Sequence, residues 1–151
     1  MPQSLANVIL HLVFSTKNRY PWLQTTDVRE ELYKYLATIL KSLESSAILI
    51  NGVSDHVHVL CRLSRNYAIK TILGEIKADS SKWIKTKGAA YADFHWQAGY
   101  GAFSVSQSKV DDVRNYILEQ ERHHRRMTFQ DEFREMCLRH EIEIDERYVW
   151  D

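Results

Sequence analysis

The sequence is short of cysteine, proline and long apolar runs, and each shortage removes a class of protein. Its two cysteines, Cys61 and Cys137, are far apart and form no Cys-x-x-Cys pair, so we interpret them as reduced core residues of an intracellular protein. No stretch approaches the roughly 18–20 consecutive apolar residues of a membrane span. The sequence shows no internal repeat and no Pro/Gly-rich linker, which makes a second domain improbable.

The composition that remains is that of a soluble globular domain. The 151 residues are 44% hydrophobic and 26% charged, and they are enough to bury a core. The N-terminal stretch lacks the basic region and the small-residue cleavage site of a signal peptide. We therefore predict one domain over residues 1–151, located in the cytoplasm and without a membrane partner.

The formal net charge of zero hides an asymmetry along the chain. Residues 129–151 contain eight acidic and three basic residues, which leaves 17 bases and 12 acids in residues 1–128. A body with a net charge of +5 could attract phosphate while the acidic tail neutralises the whole. The alternative is that charges of both signs simply solvate the surface, so charge alone does not decide whether the chain binds nucleic acid.

Hydrophobic periodicity predicts the order β-α-β-β-α-β, followed by two helices. An apolar run over residues 5–14 is typical of a buried strand, and helical spacing follows over residues 26–44 and from about 66 to 85. Strands are predicted over residues 46–53, 56–63 and 100–106, and the closing helices over 109–124 and 128–139. This order is the split β-α-β arrangement of an α+β, ferredoxin-like fold, with an antiparallel sheet and helices on one face. The fold itself does not identify a function.

Two histidines in the predicted third strand, His56 and His58, are the first candidate site residues. Side chains on a strand alternate between faces, so both imidazoles point one way while Val57 and Val59 point the other. Such a pair can bind one divalent metal. Asp55 is expected either to orient a ligand or to form the hairpin turn. Half-exposed histidines without a metal are the alternative, and a third ligand is needed.

The predicted helix over residues 109–124 supplies a candidate for the third ligand. Tyr116 and Gln120 lie four residues apart, so their polar ends share one face, while Val113, Ile117 and Leu118 are expected to face the core. The amide oxygen of Gln120 suits Mg²⁺ or Mn²⁺, and the phenol of Tyr116 can attack phosphorus. A tyrosine packed at the edge of the core and a solvent-exposed glutamine form the alternative.

A dense basic run that contains Arg122, Arg125 and Arg126 follows the glutamine. Cations at this position complement the C-terminus of a helix, which is a sufficient structural reason for them. Contact with a phosphate backbone near the nucleophile is the functional alternative.

Together these segments resemble a known family. Residues 11–19, 55–60, 96–100 and 116–120 are similar, in the same order, to the single-tyrosine HUH transposases of small bacterial insertion sequences, including the relatives associated with repetitive extragenic palindromes. The specific part of the resemblance is the combination of a His-hydrophobic-His strand with Tyr-x-x-x-Gln in one small chain.

The resemblance implies a mechanism, a cofactor and partners. In the family, the residues that correspond to His56, His58 and Gln120 bind one divalent cation, Mg²⁺ or Mn²⁺, which polarises the scissile phosphate. The tyrosine, here Tyr116, attacks and leaves a 5′-phosphotyrosine bond and a free 3′-OH. The implied substrate is single-stranded DNA with hairpins, and the implied assembly is a homodimer.

Other residues carry weaker expectations. The candidate DNA contacts are Lys17, Arg19, Arg122, Arg125 and Arg126. His11 is expected to be a hydrogen-bonded core histidine rather than part of the site. The first strand is a candidate for pairing with its copy in a second subunit, if it lies at an edge.

Several aromatic and histidine residues stay open at this stage. Trp96 and Tyr100 could stack on an unpaired base or pack under the sheet. His95 is a candidate extra ligand that no spacing requires. His123 and His124 lie beyond the matched motif and are not assigned to the metal.

Four other functions remain as alternatives. A domesticated, non-mobile single-strand nuclease would keep the same residues, and a replication initiator or relaxase relative would share the HUH motif. A non-catalytic binder of DNA hairpins would use the same basic and aromatic surface without needing Tyr116. An unrelated zinc protein would need a closed tetrahedral site, and no cysteine is placed to complete one.

Overall fold

The computed structural model describes residues 3–150, so the predictions for residues 1, 2 and 151 lie outside the described part of the chain. The four strands are β1 (Ile9–Ser15), β2 (Ala47–Gly52), β3 (His56–Arg62) and β4 (Gly101–Val105). The helices are α1 (Thr26–Ser42), α2 (Ile69–Lys85), α3 (Val110–Leu118), α4 (Gln120–His123) and α5 (Phe129–Arg139). No described helix is both long enough and apolar enough to cross a membrane.

The four strands form one antiparallel sheet in the order β2-β3-β1-β4. This order confirms the split β-α-β prediction. In the register of β1 with β3, Val13 lies opposite His58 and Ser15 lies opposite His56. The possibility that β1 pairs with a second subunit is wrong, because β3 and β4 occupy both of its edges. The edges of the sheet are β2 and β4 instead.

One face of the sheet carries the larger hydrophobic core. Because side chains alternate along a strand, every second residue of β1 and β3 faces α1 and α2. The strand residues of this core are Leu10, Leu12, Phe14, Val57, Val59 and Cys61. The helices meet them with Leu32, Leu36, Ile39, Leu40, Ile72, Leu73, Ile76 and Ile84. Both cysteines are free and buried, as the sequence predicts.

The other face of the sheet is covered by α3, α4 and α5, and it is here that the polar residues lie. Two smaller apolar clusters flank this face. The cluster beside α5 contains Val13, Phe103, Phe129, Phe133, Met136 and Cys137. The cluster beside α3 contains Ile9, Leu60, Val110 and Ile117. The expectation that Leu118 faces the core is wrong, because this residue is 51% exposed. His11, His56 and His58 share this face with the apolar clusters and are all buried.

Most element boundaries lie within three residues of the predicted ones, and two larger differences have local reasons. The first strand begins at Ile9 and not at Leu5, because residues 3–8 are exposed and form no ladder. The predicted helix over residues 109–124 is interrupted at Glu119, whose backbone torsions are φ −94° and ψ 20°. Its N–H is shared between the carbonyls of Asn115 and Tyr116, both at 3.3 Å.

The turn between β2 and β3 brings two backbone segments into close approach at Gly52. A Cβ atom on Gly52 would lie 2.2 Å from the carbonyl oxygen of His56, whereas one on Gly74 in α2 would meet nothing within 4 Å. Position 52 therefore has no room for a side chain, because the backbone of His56 lies too close.

We expect Gly52→Ala to lower the free energy of unfolding by about 1–3 kcal/mol, since the clash is with backbone that cannot rotate away. Gly74→Ala is the matched control and should raise the same quantity by about 0.5–1 kcal/mol through helix propensity. Urea unfolding at 25 °C measures both changes. Equal effects of the two substitutions would contradict this role of Gly52.

Candidate metal and nucleophile site

The two strand histidines present the same ring nitrogen to a common point, because each is held from behind. The Nδ1 atom of His56 lies 2.6 Å from the Asp55 carboxylate, and the Nδ1 atom of His58 lies 2.7 Å from Nε2 of His11. These contacts fix both rings with Nε2 facing α5. Asp55 thus orients a candidate ligand. His11 is buried and hydrogen-bonded, as expected, and its partner is His58, the other candidate ligand on the strand.

The carboxylate of Glu132 on α5 lies at the point where these nitrogens converge. Its Oε1 atom is 3.3 Å from Nε2 of His56, 3.0 Å from Nε2 of His58 and 3.2 Å from Nε2 of His124. Glu132 is 1% exposed. One donor atom from each of these four residues lies within 4.8 Å of the others, a spacing that could hold a metal ion.

Tyr116 and Gln120 meet the same carboxylate from α3 and α4. The Tyr116 hydroxyl donates to Oε2 of Glu132, and the Gln120 amide nitrogen donates to the same oxygen at 3.1 Å. The amide oxygen of Gln120 faces the imidazoles, 3.2 Å from His56 and 3.1 Å from His124. Gln120 is fully buried, so the solvent-exposed alternative for this residue does not hold.

The structure therefore brings together all four residues singled out as nucleophile and ligands, and it adds two that sequence reasoning missed. These are His124, which follows the matched motif, and Glu132, which lies twelve residues beyond Gln120. The spacing of His124 four residues after Gln120 was a usable signal, since such residues share a helix face. For Glu132 the usable signal was its position on the apolar face of its helix, with Phe129, Phe133 and Met136.

The centre of the cluster is a buried ion pair. Burial by itself would lower the pKa of His56, but hydrogen bonds with Asp55 and Glu132 outweigh it and raise that pKa to about 9. Burial would raise the pKa of Glu132, yet hydrogen bonds with the three imidazoles hold it well below its usual range. Burial and the Glu132 charge raise the pKa of Tyr116, so its phenol keeps its proton.

Residues of the cluster and its supporting side chains line two surface clefts. The arginine cleft, about 770 Å³, is lined by four cations together with His124 and the acidic residues Asp55, Glu121 and Asp131. Those cations are Arg19, Arg29, Arg125 and Arg126. The second cleft, about 610 Å³, has Tyr116 in its wall and Lys109 and Arg139 among its lining residues. His124 of the metal-binding group thus lines the first cleft, and Tyr116 lines the second.

The remaining predicted contacts are distributed unevenly. Arg19 lines the arginine cleft but also donates to the Trp150 carbonyl at 3.0 Å. Arg122 is exposed, lies 3.6 Å from Glu119 and does not line that cleft. Lys17 is exposed and lines neither cleft.

Trp96, Tyr100 and His95 all lie outside the buried cluster. Trp96 packs in the core and donates to Ser80 at 2.9 Å, so its packing interpretation is confirmed. Tyr100 is 39% exposed. The His95 ring bonds the Asp93 carbonyl at 2.9 Å and is not among the clustered ligands.

Comparison with known proteins identifies the family. Residues 4–120 match the family model described as IS200-like transposases. The chain belongs to the IS200-like transposase family. Membership implies DNA strand transferase activity, and the histidine–glutamate group is consistent with a divalent metal. No protein of curated function matches the sequence.

Two solved structures share the fold of this transposase family member. A candidate transposase from Deinococcus radiodurans R1 has 20% sequence identity and a TM-score of 0.61, over 78% of this chain and 93% of that one. A REP-associated tyrosine transposase bound to a REP hairpin has 15% identity and a TM-score of 0.53, over 76% of this chain and 65% of that one. At these identities the likeness concerns the fold.

The raised pKa of His56 predicts how the stability of the metal-free protein depends on pH. A group whose pKa is higher in the folded state stabilises the fold below its unfolded value, and that stabilisation is lost as pH rises towards about 9. We expect the free energy of unfolding in EDTA to fall between pH 6.5 and 8, with a slope of up to about 1.4 kcal/mol per pH unit. Asp55→Asn should show a shallower slope, because a neutral amide stabilises the imidazolium less.

Urea unfolding at several pH values measures the difference between the wild type and Asp55→Asn. The range ends at pH 8 because Lys77, whose pKa burial lowers to about 8, contributes with the opposite sign above it. Identical slopes for the two proteins would show that Asp55 does not raise the pKa of His56.

Proposed function

We propose that this transposase cleaves and rejoins single-stranded DNA through a 5′-phosphotyrosine intermediate on Tyr116, with a divalent metal bound by His56, His58 and Gln120. The observation that carries the proposal is the convergence on one carboxylate of the Tyr116 hydroxyl, the Gln120 amide and the strand imidazoles. Nucleophile and ligands are thus adjacent within a single chain.

The donor set is compatible with a divalent metal. Imidazole Nε2 atoms, an amide oxygen and a carboxylate face one another in a buried cluster. Mg²⁺ prefers oxygen ligands, whereas imidazoles suit first-row transition metals, so the set favours Mn²⁺ over Mg²⁺. The metal would act as a Lewis acid on the scissile phosphate.

The residues of the chain then have defined roles. The phenolic oxygen of Tyr116 forms a bond to phosphorus, and the bond from phosphorus to the 3′-oxygen breaks, which leaves a 3′-OH. Asp55 and His11 keep the two ligand rings aligned from behind. A later attack by a 3′-OH on the phosphotyrosine reverses the step and rejoins the strand, so no nucleotide cofactor is required.

We propose single-stranded DNA with hairpin structure as the partner, supported by the REP hairpin bound to the structural neighbour. The arginine cleft is the best-placed phosphate-binding surface, because Arg125 and Arg126 are exposed in it and His124 links it to the cluster. Arg19 also lines this cleft, and Lys17 and Arg122 would contact DNA only outside it. A homodimer acting in the cytoplasm is part of the same proposal.

A covalent adduct tests the nucleophile directly. Purified protein is incubated with Mn²⁺ and labelled single strands drawn from the DNA that flanks its gene, and adducts are counted after denaturing electrophoresis. We expect an adduct from the wild type that is lost in Tyr116→Phe and in EDTA, with at least a 10²-fold reduction, since the variant lacks the attacking oxygen.

Tyr148→Phe is the matched control, because Tyr148 is 67% exposed and lies outside the cluster. It should form the adduct at the wild-type rate. An adduct that persists in Tyr116→Phe would mean that the nucleophile is misassigned. Tight hairpin binding by the wild type without any adduct would favour a non-catalytic binder.

The arginine cleft makes a separate prediction about binding. Arg125→Gln combined with Arg126→Gln should weaken binding to a DNA hairpin and reduce the slope of log affinity against log salt by roughly 1 for each lost phosphate contact. Arg62→Gln combined with Arg65→Gln is the control, since both residues lie at or beyond the far end of β3 and outside the cleft. Fluorescence anisotropy at several salt concentrations measures both. Equal slopes in the two double variants would exclude the cleft as the phosphate-binding surface.

A further inference from the structure

We propose that Glu132 couples the metal to the nucleophile, with one carboxylate oxygen directed at the ligand imidazoles and the other holding Tyr116 and Gln120 in place. The inference deepens the proposed function and rests on it. Glu132 lies on α5, beyond the residues 4–120 that match the family model, so the role is additional to the matched motif.

The first oxygen, Oε1, faces only imidazoles among the described residues. It lies 3.0–3.3 Å from Nε2 of His56, His58 and His124. An ionised oxygen at this distance from three ring nitrogens is a suitable additional donor for any cation that those nitrogens bind.

The second oxygen, Oε2, sets the orientation of two functional groups at once. It accepts the Tyr116 hydroxyl, which keeps the phenolic oxygen beside the cluster. It also accepts the Gln120 amide nitrogen at 3.1 Å, and this contact turns the amide oxygen towards His56 and His124. Without a carboxylate here, either end of the Gln120 amide could face the imidazoles.

The position of Glu132 is fixed by the packing of α5. The Thr128 side chain caps the helix by accepting from the Asp131 N–H at 3.2 Å. Phe129, Phe133 and Met136 lie on the same helical face as Glu132 and pack against the sheet in the cluster beside α5. The carboxylate is therefore delivered by a rigid element.

A purely structural role is a poor explanation for this residue. Removing a carboxylate from water costs several kcal/mol, and apolar residues of similar volume often replace buried ion pairs without loss of stability. All of its hydrogen-bond partners are the proposed nucleophile and the residues that can hold the metal. We therefore treat Glu132 as a positioning residue for Tyr116 and Gln120 and as an oxygen donor to the metal.

Metal affinity tests the proposal without relying on activity. Mn²⁺ and Co²⁺ are titrated into the metal-free full-length chain by calorimetry, and the visible spectrum of bound Co²⁺ reports its ligands. We expect Glu132→Gln to weaken binding by about 10–100-fold and to change the Co²⁺ spectrum, as loss of an orienting or ligating group does at other metal sites. Glu135→Gln is the matched control, because Glu135 is exposed on the same helix, and it should bind as the wild type does.

A second variant keeps the test valid if Glu132→Gln does not fold. Tyr116→Phe removes only the hydroxyl that Oε2 accepts, and it should raise the Mn²⁺ affinity a few-fold because the carboxylate loses a competing donor. Tyr148→Phe should leave that affinity unchanged. Unchanged affinity in both Glu132→Gln and Tyr116→Phe would overturn the proposal, as would unchanged affinity in Tyr116→Phe alone if the other variant is unfolded.

Adduct formation separates this inference from the proposed function. With the hairpin substrate, Glu132→Gln should lower kcat while KM for DNA stays within about twofold, since Glu132 is buried and does not line the arginine cleft. Metal binding that depends on Glu132 without any wild-type adduct would remove the proposed chemistry but support the link between Glu132 and the metal. A normal adduct rate together with normal metal affinity in Glu132→Gln would leave the function standing and remove the inference.

Discussion

The buried carboxylate of Glu132 is the interaction on which the rest of the structure depends. A charge out of water has to be surrounded by donors or cations, and here three imidazoles, a phenol and an amide surround it. These partners come from β3, α3, α4 and the segment that leads to α5. The polar cluster therefore fixes how the C-terminal helices lie across the sheet, with the apolar clusters on either side sealing it.

The sheet makes that arrangement possible because its two faces carry different kinds of side chain. Alternation along β1 and β3 sends Leu12, Val57 and Val59 into the core under α1 and α2. The intervening His11, His56 and His58 are left on the other face. Because β1 and β3 are the two central strands, the site is built on the part of the sheet that is paired on both sides. Functional groups on such rigid elements are held more closely than groups on loops.

Sequence reasoning was successful where the signal is local. Strand alternation placed His56 and His58 on one face, helical spacing related Tyr116 to Gln120, and the order of periodic segments gave the sheet. It could not assign Glu132 to the site, because the pattern of α5 puts that glutamate on the apolar face but does not show which side chains lie opposite it. The partnership of His11 with His58 likewise depends on strand register, and the break at Glu119 on a local backbone distortion. Each of these arises from tertiary packing, which a single sequence does not report.

The central claim is that one buried point, on the sheet face covered by α3, α4 and α5, receives both the metal and the nucleophile. The most direct test is a crystal structure of the protein grown with Mn²⁺, in which anomalous scattering locates the ion independently of any fitted coordinates. We expect one strong peak within about 2.0–2.3 Å of the His56 and His58 ring nitrogens, with an oxygen of Glu132 or Gln120 beside it and Tyr116 still in contact with the cluster. An ion bound elsewhere, with the histidine–glutamate hydrogen bonds intact, would contradict the claim.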